Sequence, residues 1–78
     1  MASSMRNVVG PRIRQARYRS GTRITQAELA ARLQVLGIEV DRTAVSKIET
    51  QRRPVTDIEL IAICKALGIE VGSLFEEQ

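Results

Sequence analysis

The sequence predicts an all-α fold of five short helices. Apolar residues recur at spacings of three and four along most of the chain, the period of a helix with one buried side. Thr-x-x-Glu starts and glycine stops bracket those stretches, as helix ends require. Aromatic residues make up only 3% of a chain that is 44% hydrophobic. The core must therefore be Leu, Ile, Val and Ala, which suits helices packed on helices better than an aromatic-rich sandwich. A chain of 78 residues has room for one domain, since at this size only about 60% of the unfolded surface is buried.

Residues 1–8 read as a flexible leader, because Met1-Ala-Ser-Ser-Met5 has no apolar signal core; the domain is expected over 9–76. Gly10-Pro11 opens the first helix, about 11–20, since proline lacks an N–H where one would go unpaired anyway. Ile13, Ala16 and Arg17 follow at helical spacing, and Ser20-Gly21 supplies the stop. Thr25 and Glu28 form a capping box for a second helix of about 26–36, with Leu29, Ala30, Leu33 and Leu36 as its stripe and Gly37 as its end.

Asp41 is a good N-cap for a third helix of about 42–51. Ala44, Val45 and Ile48 make one side of it apolar; Arg42, Thr43, Ser46 and Thr50 lie within an opposite arc of about 100°, with Lys47 beside them. A short helix with one aliphatic face and one face of small polar and basic groups has the form of a groove reader. Thr56 and Glu59 form a second capping box, opening a helix of about 57–67. Its apolar residues Leu60, Ile61, Ile63, Cys64 and Leu67 span more than about 150°, which predicts a central helix. A final short helix, about 71–75, would close the core with Leu74 and Phe75, although Gly72 weakens it. One pentapeptide occurs twice, Leu36-Gly37-Ile38-Glu39-Val40 and Leu67-Gly68-Ile69-Glu70-Val71, and both copies read as the same helix-ending device.

Charge is unevenly placed. Residues 1–53 hold eleven Arg/Lys and four Asp/Glu, or +7; residues 54–78 hold one Lys and five Asp/Glu, or −4, giving the net +3. A basic region of this kind meets a polyanion. There is no histidine and one cysteine, so no internal disulfide and no conventional metal cluster is expected, which fits a reducing cytoplasm. The longest apolar run, Leu60–Cys64, is far short of the ~20 residues of a membrane span. Nothing in the chain pairs a nucleophile with a base or cradles a phosphate in a glycine-rich loop, so an enzyme is not expected.

Ile13-x-x-x-Arg17, Thr25-Gln26-x-x-Leu29-Ala30, Thr43-Ala44-Val45-Ser46-Lys47-Ile48-Glu49, Arg53-Pro54 and Ala66-Leu67-Gly68 together resemble the lambda-repressor-like (Xre, Cro/C1-type) helix-turn-helix family, over about residues 9–75. The resemblance implies a compact five-helix fold whose third helix enters the major groove of double-stranded DNA. It implies base contacts by Arg42, Thr43, Ser46 and Lys47, and backbone contacts by Thr25, Gln26, Thr50, Arg52 and Arg53. It also implies an internal ion pair between Arg17 and Glu49. Arg42 carries the planar fork that matches guanine O6 and N7, and Thr43 a methyl for thymine. Two departures stand out: Ala30 to Thr43 is about five residues longer than the family's usual spacing, and Glu70 stands where Ser or Asp often caps the last helix.

The expected function is a cytoplasmic, nucleoid-associated transcriptional regulator, a repressor, with no cofactor, metal or small-molecule ligand. Since one helix reads few base pairs, a homodimer on a pseudo-palindromic operator is expected, with Val71, Leu74 and Phe75 at the contact. The alternative is a protein–protein module on the same fold, antitoxin-type or coactivator-type, which the basic half disfavours.

Overall fold

The computed structural model describes residues 6–19 and 23–75. Helix α1 spans Gly10–Arg19, α2 Gln26–Val35, α3 Arg42–Glu49 and α4 Asp57–Leu67; a single 3-10 turn, Val71–Phe75, stands where the fifth helix is expected. No strand occurs among the described residues. The expected stop at Ser20-Gly21, most of the expected leader and residue 76 lie outside them.

Local chemistry accounts for the helix ends. The Thr25 hydroxyl accepts from the Glu28 N–H at 3.0 Å, and Asp41 Oδ1 from the Ala44 N–H at 2.8 Å. At Thr56 the capping box is complete, Glu59 accepting in return from the Thr56 N–H. At Thr25 only half the predicted box forms, because the Glu28 carboxylate pairs with Arg32 one turn on, at 2.8 Å. Both pentapeptides end their helices alike. Gly37 and Gly68 take φ of 85° and 70°, the left-handed region that a Cβ disfavours. The next N–H reaches back five residues, Ile38 to the Leu33 carbonyl at 2.9 Å and Ile69 to the Cys64 carbonyl at 3.0 Å, the Schellman pattern.

Helix α2 packs against both α3 and α4, α1 against α3, and the 3-10 turn against α4. The most deeply buried side chains are Ile13, Leu29, Leu33, Val40, Val45, Ile48 and Ile63, an aliphatic core drawn from every α-helix and from the turn before α3. At Gly10 a Cβ would collide with the Ile48 carbonyl, so α1 can start flush against the end of α3 only with glycine there. Arg12 and Arg32 add cross-ties, donating to the carbonyls of Leu74 at 3.1 Å and Ala66 at 2.9 Å.

Three expectations about packing are corrected. Helix α4 is not enclosed as a central helix would be: Ala62, Ile63 and Cys64 are buried, but Ile61 is 54% exposed, so part of its wide apolar arc faces outward. Leu36 leaves the predicted α2 stripe because it is the C-cap, turned out of the core. Leu74 is buried at 3% exposure while Phe75 is half-exposed; the tight turn at 71–75 can point only one of two adjacent side chains inward.

Candidate nucleic-acid interface

A buried polar cluster ties α1, α2 and α3 together. Arg17 Nε and Nη2 donate to the two carboxylate oxygens of Glu49 at 2.6 and 2.8 Å, and Arg17 Nη1 donates to the Ile24 carbonyl at 2.8 Å. Gln26 Nε2 donates to Glu49 Oε1 at 3.1 Å. The Glu49 hydrogen bonds outweigh the burial that opposes the charge, so the Arg17 pKa is raised. No buried side-chain polar atom among the described residues lacks a partner. A bidentate, fully bonded pair of this kind holds its elements in one arrangement, because losing either partner strands the other charge. Its effect is to set the start of α2 against the end of α3.

Above this cluster lies an open concavity of about 810 Å³, bordered by Arg14, Tyr18, Arg23, Gln26, Arg42 and Thr50. Arg14, Arg23 and Arg42 have no carboxylate partner among the described residues. Arg23 lies over the Tyr18 ring at 5.3 Å, and Arg17 lies 5.1 Å from the same ring. Because the Thr25 hydroxyl caps Glu28, the first two N–H groups of α2, at Gln26 and Ala27, remain without helical partners. The positive end of the helix dipole adds to them. Free amides, three uncompensated guanidiniums and an aromatic ring together are chemically suited to an anionic partner.

Helix α3 carries the other predicted side chains. Arg42, Thr43, Lys47 and Thr50 are exposed and Ser46 half-exposed, opposite buried Val45 and Ile48. Arg42 links the two surfaces, since it both starts α3 and borders the concavity. Thr50 is internally engaged: its hydroxyl donates to the Ser46 carbonyl at 2.9 Å and accepts from Arg52 Nε at 2.9 Å. It therefore aims Arg52 and has no spare proton of its own. Arg53 is engaged within the chain. Nη1 and Nη2 both sit on Glu59 at 2.9 Å, so this guanidinium fastens the loop to α4. The Glu59 carboxyl is held below its ordinary pKa by that pair, against the opposing effect of burial.

The loop after α3 is pinned from a region read as leader. Asn7 Nδ2 donates to the Ile48 and Arg53 carbonyls at 3.0 and 2.8 Å, its Oδ1 accepts from the Gly10 N–H at 2.7 Å, and the Arg6 N–H reaches the Gln51 carbonyl at 3.0 Å. Gln51 takes φ of 65°, the left-handed helix end made here without glycine. Arg14, Tyr18, Arg23 and Asn7 carry no motif of their own. The one available signal is that Arg14 and Tyr18 stand one turn apart on α1, next to Arg17.

A family model described as helix-turn-helix matches residues 13–74. No curated protein and no solved structure matches the chain.

Proposed function

Because the chain belongs to the helix-turn-helix family of lambda-repressor (Xre) type, a family of DNA-binding regulators, we propose that it binds double-stranded DNA sequence-specifically and represses transcription in the cytoplasm. The carrying observation is the continuity of two surfaces through Arg42: an outward α3 face beside a concavity of unpaired arginines.

In this reading the backbone and base roles separate. Arg14, Arg23, Arg52 and the N–H groups of Gln26 and Ala27 hold phosphates, with Thr25 capping and Thr50 aiming Arg52. Arg42, Thr43, Ser46 and Lys47 face base edges, Arg42 offering its fork to a guanine. Arg17, Glu49 and the Gln26 amide fix the angle at which α3 enters the groove. Arg53 acts one step back, holding the loop that presents Arg52. The six residues from Leu36 to Asp41 between α2 and α3 widen the turn, yet Val40 within it is buried at 1% exposure; packing of the turn supports a defined start for α3. Two protomers bind one pseudo-palindrome with their α3 helices about 34 Å apart. Of the residues predicted at the dimer contact, Val71 and Phe75 are exposed and available, whereas Leu74 is withdrawn into the core.

The test is duplex affinity as a function of salt. If roughly four to six phosphates are neutralised per protomer, the log–log slope is near −4 to −5 per protomer. Arg14→Ala, Arg23→Ala and Arg52→Ala each flatten that slope by up to about one unit and weaken all sequences alike. Arg42→Ala changes base preference in a selection from randomised duplexes. A duplex affinity indifferent to salt removes the reading, and points to a protein partner on this face.

A further inference from the structure

Helix α4 carries a surface that neither the core nor the DNA-facing side uses. Its exposed residues are Asp57, Ile58, Ile61 and Lys65, and at 100° per residue all four fall within one arc of about 100°. Ile58 is 66% and Ile61 54% exposed. Single exposed isoleucines are ordinary; two on one strip, with an acid at one end and a base at the other, form a pattern. Among the described residues Lys65 has no carboxylate partner and the Asp57 carboxylate accepts only from the Ile58 N–H, at 2.8 Å.

The two charged ends of the strip stand symmetrically about Ile61, Asp57 four residues before it and Lys65 four after. Two copies of α4 laid antiparallel about a two-fold axis through Ile61 bring each Asp57 opposite the partner's Lys65, with the isoleucines packed between. An isologous contact requires self-complementarity of this kind. A different partner would require only complementarity to itself.

We propose that this face of α4 pairs with the same face of a second copy of the chain, and that it forms the centre of the two-fold contact. The assignment rests on the dimeric reading above and gives that dimer its surface. Asp57 and Lys65 are only about 12 Å apart along the helix, so the paired strips cover less than the roughly 1,200–2,000 Å² of a standard stable interface. The pair is therefore weak in free solution and is completed when two protomers share one duplex.

The experiment uses the full chain. Ile61→Cys places a sulfur at the axis, and a short bismaleimide should link two copies much faster than it links Val35→Cys, whose position on α2 is 86% exposed. Cys64 does not compete: it is buried, and burial pushes its thiol pKa up. In sedimentation equilibrium, Asp57→Lys and Lys65→Glu should each weaken self-association by about tenfold, since each replaces two attractions per dimer by two repulsions. Mixed in equal amounts, the two variants should associate with each other as tightly as wild type does with itself. Linking of Ile61→Cys no faster than of Val35→Cys, or a mixture that stays as weak as its components, overturns the proposal. Two protomers on one duplex with the charge variants indistinguishable from wild type also overturns it, while leaving the DNA reading intact. Loss of that reading would show separately, as an Ile61→Cys chain that links rapidly while neither it nor the wild type binds duplex.

Discussion

The segments Leu36–Val40 and Leu67–Val71 have the same five residues, and they agree in backbone and differ in burial. Each ends a helix with a left-handed glycine and an isoleucine N–H reaching back to the last turn. Ile38 and Ile69 are both half-buried. The last residue diverges: Val40 is 1% exposed, Val71 37%. The first copy leads into α3 with α2 beside it, and its valine closes the core there. The second leads into the 3-10 turn, where Leu74 takes the inward place. The two bidentate Arg–Glu pairs show the same divergence. Arg17–Glu49 has side-chain exposures of 5% and 2%, whereas Arg53–Glu59 has 30% and 16%. Identical local chemistry thus does different work according to what stands opposite.

The largest expected effect breaks the pentapeptides apart. Val40→Asp buries an unpaired charge and should destabilise by about 4 kcal/mol or more, while Val71→Asp stays within about 0.5 kcal/mol. Urea denaturation of both variants measures the difference; equal midpoints would show that Val40 is not a core residue.

The ion pairs come next. Arg17→Ala strands Glu49 and should cost about 3–5 kcal/mol if the site stays dry; Arg53→Ala, at a wetter site, should cost about 1 kcal/mol or less. The pH dependence separates them further. Because the folded pKa of Glu59 is lowered, its contribution is present above the ordinary carboxyl range and is lost as pH falls through the lowered value. Arg53→Ala should flatten that acid limb of the stability curve. An Arg17→Ala chain as stable as wild type but unable to bind duplex would move Arg17 from scaffold to contact.

Glycine substitutions should reunite the two segments. Gly37→Ala and Gly68→Ala each force a Cβ into the left-handed region with no atom within 4 Å to clash, so each should cost about 1 kcal/mol. Thermal midpoints of the two should agree closely. A gap equivalent to more than about 1 kcal/mol would mean that the turn before α3 resists for reasons beyond its own backbone.

The smallest effect is electrostatic. Glu39 is exposed in the turn before α3, and under the proposed function its charge opposes the nearby phosphates. Glu39→Gln should raise duplex affinity about two- to threefold at low salt, and Glu70→Gln should leave it unchanged. Fluorescence anisotropy with a labelled duplex reads both; equal responses would place the two turns alike with respect to DNA.

What the sequence by itself determined is whatever acts through a few neighbouring residues. The caps at Thr25, Asp41 and Thr56, the glycine stops at Gly37 and Gly68, and the aliphatic character of the core were legible because each is a contact within one turn of backbone or a period along it. The outward residues of α3 were legible for the same reason, since helical phase separates Arg42, Thr43 and Ser46 from Val45 and Ile48. The resemblance added the Arg17–Glu49 pairing, which spacing alone does not reveal. Tertiary structure decided the rest: that Val40 is buried and Val71 is not, that Ile61 faces outward although its helix is apolar nearly all round, and that Leu74 turns in while Phe75 turns out. It also decided that Arg53 closes on Glu59, and that Arg14, Tyr18 and Arg23 gather beside the start of α2. Burial and pairing depend on which elements come to lie opposite one another, and in a chain this small that depends on how all the helices share a single core.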